Sequence, residues 1–197
     1  EDYLGWHKQS KGMWFVGIPL LSGRLKGTKK RMLAKVVDKY QTEVRITPNQ
    51  DILLCNIGSI QKSSVIKDLE DIGFKTNTEI TDIEKKAMAC PAFPLCGLAI
   101  TEAERELPSI IKRIQAQLNK LGINKSILIR MTGCPNGCAR PYMAELGLVG
   151  SGINQYQLWL GGTPDLQNLA KPYIQKMSIS QLEETIEPLL ISWKETG

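Results

Sequence analysis

The chain has 197 residues, of which 42% are hydrophobic, enough for one large or two small globular domains and too many for a disordered chain. Lys and Arg exceed Asp and Glu by 25 − 20 = 5, a mild excess partly gathered in Lys26, Lys29, Lys30 and Arg31. It reads as a solvated basic face or a docking face for an acidic partner, and no nucleic-acid motif accompanies it. No apolar run approaches the roughly 20 residues of a membrane helix, and the opening residues lack the basic-then-apolar order of a signal peptide, so the expectation is a protein outside the membrane.

In chain order, the apolar run Trp14-Phe15-Val16-Gly17-Ile18 predicts a strand. Residues 28–40 predict a helix, with Met32, Leu33, Val36, Val37 and Tyr40 at helical spacing and Thr28 as its cap. Residues 44–46 and 52–55 read as strands joined by Thr47-Pro48-Asn49-Gln50, and residues 61–71 as a second helix stopped by Gly73. This β-α-β-β-α order fits a ferredoxin-like α+β half-domain. The polar stretch 75–81 suggests a boundary, giving domains of residues 1–75 and 76–197.

Beyond it, residues 101–121 predict a long helix kinked at Pro108. Strands are expected at 126–131, 146–149 and 157–160. A terminal helix follows over 180–193, where Ser180 and Glu183 have capping-box spacing. This half reads as an α/β domain. His7 reads as an exposed residue, and the four tryptophans as packing residues.

Chemistry concentrates in the cysteines. Five is an odd number for a disulfide framework, and four of them form close pairs, Cys90-Pro-Ala-Phe-Pro-Leu-Cys96 and Cys134-Pro-Asn-Gly-Cys138. Two such loops can supply the four thiolates of a cubane iron–sulfur cluster. Pro91, Pro94 and Pro135 stiffen the loops, while Gly133 and Gly137 allow tight backbone folding. A four-thiolate zinc site and buried, inert cysteines are the competing readings. Cys55, alone on an apolar strand, reads as a core residue.

The run Arg130-Met-Thr-Gly-Cys134-Pro-Asn-Gly-Cys138-Ala-Arg140-Pro-Tyr-Met-Ala-Glu145-Leu-Gly-Leu-Val-Gly150 resembles the signature of the sirohaem nitrite and sulfite reductase family. Ala89-Cys90-Pro-Ala-Phe-Pro-Leu-Cys96-Gly-Leu-Ala-Ile-Thr-Glu-Ala-Glu-Arg105 resembles its first cysteine pair, and Arg45-Ile-Thr-Pro-Asn49-Gln50 a cofactor-side loop. Tyr156-Gln-Leu-Trp-Leu-Gly-Gly162-Thr-Pro resembles a later block of the plant and cyanobacterial sulfite reductases. Gly137, Arg140 and Phe93-Pro94 look like the sulfite branch. Ala139-Arg-Pro-Tyr-Met and the Leu-Trp-Leu-Gly-Gly-Thr-Pro block look like its ferredoxin-dependent members.

The resemblance implies a C-terminal portion of an assimilatory enzyme that reduces sulfite to sulfide with ferredoxin as donor, in a bacterial cytoplasm or plastid stroma. It implies Cys90, Cys96, Cys134 and Cys138 as ligands of a [4Fe-4S] cluster, with Cys138 bridging to the sirohaem iron. Sirohaem carries many carboxylates, so Arg45, Asn49, Gln50, Arg130, Asn136 and Arg140, in or beside the matching motifs, are its candidate contacts. Each also has a plainer role as a turn, strand or surface residue. No catalytic residue is expected in this chain, because the sulfite-binding Arg and Lys cluster would lie on an N-terminal half. The implied fragment is inactive alone, and either cofactor can be absent from it.

Overall fold

The computed structural model describes residues 3–74, 80–163, 165 and 167–196, with side chains throughout. The chain divides into two compact units, Glu1–Thr81 and Asp82–Gly197. Residues 75–79, on which most of the expected linker falls, lie outside the described residues, as does Pro164 of the later block. Both units combine a sheet with helices, so the fold is α+β. No described helix is long and apolar enough to cross a membrane.

The first unit is built on a four-stranded antiparallel sheet. Its strands β1 (Gly5–Lys8), β2 (Met13–Ile18), β3 (Glu43–Ile46) and β4 (Ile52–Gly58) lie in the order β1-β2-β4-β3. Helix α1 (Gly27–Tyr40) joins β2 to β3 and α2 (Lys62–Asp71) follows β4. Leu33 and Val36 of α1 and Val65 and Leu69 of α2 pack with Val16, Ile18, Leu54 and Ile57 of the sheet in one core. Burying such a side chain stabilises by about 1.5–3 kcal/mol, which is why these apolar positions recur at helical and strand spacing.

Several local expectations change. Helix α1 starts one residue earlier than Thr28, and its cap position is the extended Lys26, which makes no side-chain cap bond. Cys55 is buried as expected, 2% exposed, on the face of β4 opposite the helix-facing core to which its neighbour Leu54 belongs. Alternation along β4 explains this: successive side chains point to opposite faces. His7 is half-buried rather than exposed, stacked on Phe15 at 4.8 Å with Nε2 2.9 Å from the Leu4 carbonyl.

The second unit opens with the short helix α3 (Asp82–Lys86) and strand β5 (Met88–Ala89). Helix α4 (Leu107–Lys120) then crosses to β6 (Ile129–Thr132), followed by β7 (Leu146–Gly152), β8 (Gln155–Leu160), β9 (Lys171–Ser178) and α5 (Leu182–Thr196). The sheet order is β5-β6-β7-β8-β9, with parallel β5-β6 and β6-β7 pairs and antiparallel pairs thereafter. Its core joins Ile110, Ile114 and Leu118 of α4 to Ile129, Met131, Leu148 and Leu158 of the sheet and Leu182, Ile186 and Leu190 of α5. Arg113 of α4 forms an ion pair with Glu183 of α5 and donates to the Ile179 carbonyl at 2.8 Å, tying the two helices together.

The helix expected over residues 101–121 begins only at Leu107, and Pro108 stands at its first turn instead of kinking it. The physical reason is that the N–H missing from proline has no partner in a first turn anyway. At the far end the capping box uses Ser178 and Gln181 around a short 3-10 turn, in place of Ser180 and Glu183.

Candidate metal and cofactor site

Both cysteine loops leave the sheet at one end. Strands β5 and β6 run parallel, with Met88 opposite Arg130 and Ala89 opposite Met131. Cys90 directly follows β5, and its N–H donates to the Met131 carbonyl at 3.1 Å. Cys134 follows β6 after Gly133. Parallel pairing therefore puts the two loops side by side at the carboxyl ends of adjacent strands, the customary place for ligands in sheets of this kind.

The loops are laced to each other through Gly133. Its N–H donates to Cys90 Sγ at 3.3 Å, and its carbonyl accepts from Ile100 and Thr101 N–H at 2.8 and 3.1 Å. A Cβ at this position would lie 2.5 Å from the Thr101 carbonyl oxygen and 2.7 Å from Ala92 Cβ, so only glycine fits. Within the first loop, Cys96 N–H donates to the Ala92 carbonyl at 2.8 Å. Within the second, Tyr142 Oη donates to the Pro135 carbonyl at 2.6 Å, and its ring lies 2.6 Å from where a Gly137 Cβ would be. The Tyr142 ring meets Trp159 edge-on at 4.7 Å.

None of the cysteines is in a disulfide. Cys90 and Cys134 are buried, Cys96 is half-buried and Cys138 is exposed. Burial pushes the Cys90 thiol up. The Gly133 and Ala92 N–H groups pull it down, while Cys138 and Cys134 are near enough to raise it further by repulsion. Three of the four thiols thus share one electrostatic neighbourhood. Among the described residues, no group of three or more His, Cys, Asp or Glu is placed to hold a metal ion.

Beside the cysteines lies a positively charged, under-satisfied face. Arg130 is only 3% exposed, and its Nε and Nη1 have no hydrogen-bond partner among the described residues. Burial, and secondarily the nearby Arg140, lower its pKa to about 10. Thr132 Oγ1, two residues along β6 and hence on the same face, is likewise buried without a partner. Buried polar atoms are nearly always satisfied, so this face suits a polyanionic group, as the carboxylates of a sirohaem would be. Arg140, in left-handed backbone conformation, caps the 3-10 turn Pro141–Met143, and its Nη2 lies 3.8 Å from Met88 Sδ. Thr132 and Tyr142 were not singled out as site residues by sequence. Only strand register with Arg130 would have exposed Thr132.

The remaining candidates fall on the second cysteine loop and on the first unit. Asn136 is exposed on the second cysteine loop. Arg45 is on β3 of the first unit, exposed and paired with Glu43 at 2.7 Å. Asn49 and Gln50 form the β3–β4 turn, where Gln50 takes a φ of 71° and donates its N–H to the Thr47 carbonyl at 3.1 Å.

Comparison with known proteins fits this arrangement. Residues 7–72 match the nitrite/sulfite reductase ferredoxin-like half domain. A sulfite reductase (ferredoxin) of Synechococcus elongatus is 44% identical over 201 residues, covering 100% of this chain and 32% of that protein. A sulfite reductase (NADPH) hemoprotein beta-component of Staphylococcus haemolyticus is 35% identical over 197 residues, covering 98% of this chain and 34% of that protein. The solved structure of the Mycobacterium tuberculosis NirA protein superposes with a TM-score of 0.79 over 96% of this chain and 37% of that one, at 22% identity, and so shares the fold. The chain spans about a third of the length of these relatives. Residues 7–72 thus match the nitrite/sulfite reductase ferredoxin-like half domain, and the chain as a whole is similar to about a third of these sulfite reductases.

Proposed function

We propose that this chain is the cluster-bearing portion of a ferredoxin-dependent assimilatory sulfite reductase. The observation that carries the proposal is the convergence of the two cysteine loops at the carboxyl ends of the parallel strands β5 and β6. The 44% identity to a relative named for ferredoxin favours that donor over NADPH.

In this reading Cys90, Cys96, Cys134 and Cys138 hold a [4Fe-4S] cluster. Cys138, the exposed thiol, is also the one open to a second metal centre. Arg130 and Arg140 neutralise the carboxylates of a sirohaem, with Arg45, Asn49, Gln50 and Asn136 as further contacts. When bound, the coupled sirohaem and cluster store and deliver the six electrons that take sulfite to sulfide. The protein's part is to orient and to set charge. Gly133 and Ala92 N–H groups stabilise the Cys90 thiolate, and the buried guanidinium supplies fixed positive charge where water is excluded. The sulfite-binding residues belong to the rest of a longer enzyme, in a bacterial cytoplasm or plastid stroma.

The test compares Cys138→Ser and Cys55→Ser in the full-length parent protein. Iron, acid-labile sulfide and sirohaem are measured, together with EPR coupling and sulfide production from reduced ferredoxin or NADPH. Cys138→Ser is expected to abolish the coupling and most of the activity, since a hard oxygen replaces the shared soft ligand. Cys55→Ser is expected to keep both cofactors and lose about 1 kcal/mol of stability. The reverse pattern overturns the reading, as does stoichiometric zinc without iron or labile sulfide in anaerobically prepared protein.

A further inference from the structure

Tyr156 lies on β8, two strands away from β6, and is 1% exposed. A phenylalanine would fill the same volume without burying a hydroxyl, and an unsatisfied buried hydroxyl is costly. Here the hydroxyl is fully used, and both partners lie on the stretch that follows Cys96. It donates to the Glu102 carbonyl at 2.8 Å and accepts from Thr101 Oγ1 at 3.1 Å. Burial raises its pKa to about 12, so the group stays a neutral donor at any physiological pH.

Thr101 is itself 2% exposed and faces the second loop with its backbone. Its N–H and that of Ile100 converge on the Gly133 carbonyl, and Gly133 in turn donates to Cys90 Sγ. There is no slack in this stack. A Cβ on Gly150 would fall 2.5 Å from the Gly133 carbonyl carbon and 2.8 Å from Thr101 Cγ2, just as one on Gly133 would strike Thr101. Strand β7, the second cysteine loop and the end of the first are in backbone contact, and the Tyr156 hydroxyl closes the stack from the β8 side.

We propose that Tyr156 is a positioning residue: by holding Thr101 against Gly133 it fixes the spacing of the two cysteine loops, and through that spacing the retention and symmetry of the cluster. This inference rests on the proposed function for its ligand, whereas the clamp itself concerns only side chains of this unit.

The test uses the full-length parent protein with its cofactors, carrying Tyr156→Phe, Thr101→Val, Thr101→Ser or the Phe/Val pair. Three readouts are taken: iron release to a chelator, the EPR signal of the reduced cluster, and amide exchange at Ile100 and Thr101 against α4 amides. Thr101→Val removes one buried hydrogen bond and predicts about 10-fold faster iron release and exchange, and Tyr156→Phe, which removes that bond and the one to the Glu102 carbonyl, at least as much. A changed EPR line shape should accompany it. Thr101→Ser should stay near wild type, and the pair should be no worse than Tyr156→Phe alone, which already removes both bonds. Wild-type iron release and EPR in Tyr156→Phe, or additive effects in the pair, overturn the proposal. If Tyr156→Phe does not fold, Thr101→Val against Thr101→Ser decides. If the wild type holds zinc and no iron–sulfur cluster, the proposed function fails. The exchange comparison then decides the clamp by itself, unchanged exchange refuting it and locally faster exchange sustaining it.

Discussion

If the proposed function holds, replacing Arg130 with methionine should stabilise the sirohaem-free protein and weaken its retention of a sirohaem. The side chain is 3% exposed, and two of its three nitrogens lack a partner among the described residues. Burial first, then Arg140, bring its pKa down from the ordinary guanidinium range to about 10. Holding the guanidinium charged against that shift costs about 3 kcal/mol. The sign follows from linkage: for a base whose folded pKa is depressed, the cost is fully present below pH 10 and lifts only as pH rises above it toward the ordinary guanidinium range. Methionine keeps the apolar stem and removes the charge. Parent protein made in cells unable to supply sirohaem should therefore gain about 1–3 kcal/mol on Arg130→Met, read by urea denaturation at pH 7. Arg130→Lys, still charged, should gain nothing. In sirohaem-replete cells the same methionine variant should retain several-fold less tetrapyrrole, measured by absorbance, because a carboxylate loses its counter-charge. A sirohaem-free Arg130→Met protein less stable than wild type by more than about 1 kcal/mol would refute the reasoning, since it would mean that the guanidinium is already satisfied without a cofactor.

Gly133→Ala should cost about 2–3 kcal/mol and most of the bound iron, because its Cβ would meet the Thr101 carbonyl oxygen at 2.5 Å and backbone cannot move aside cheaply. Urea midpoints and iron content check this, and an unchanged midpoint would mean that the loops have room to separate. Glu183→Gln should cost about 0.5–1 kcal/mol at pH 7, a modest figure because the pair is partly exposed. Its hydrogen bond to Arg113 holds the Glu183 carboxyl below the ordinary 4.5. The contribution is thus present above pH 4.5 and lost as pH falls through the depressed value, so wild type and variant should converge once the carboxyl is protonated in acid.

Much of this was legible in the sequence for physical reasons. Leu33, Val36 and Tyr40 announce α1 by their period, and the cysteine spacings announce two metal-loop candidates without geometry. Strand β9 was missed because Lys171-Pro-Tyr-Ile-Gln-Lys-Met-Ser178 has no alternation: it is a sheet edge, mostly exposed, where a proline is tolerated. Pro108 signals a helix boundary and a kink equally well until the first turn is located. Arg130 was a candidate by its place beside a motif, yet its burial without partners comes from tertiary packing around β6 and has no local signature. For Tyr156 the sequence offers only an aromatic in a strand, and what distinguishes it from a phenylalanine is a partner 55 residues away.

The parallel pairing of β5 with β6 also imposes an order of events on the newly made chain. Cys90 Sγ and the Gly133 N–H that it meets are 43 residues apart, and helix α4 fills much of the interval. Neither loop alone carries more than two thiols. A centre that needs thiols from both cannot be captured by a nascent segment. It must await the docking of α4 and the zipping of the two strands, contacts whose closure is slow because they are distant along the chain. On the proposed function, the sheet register would act as a maturation checkpoint: iron delivered early would meet two separate dithiol loops, and only a chain that has already folded this unit would bring both loops together.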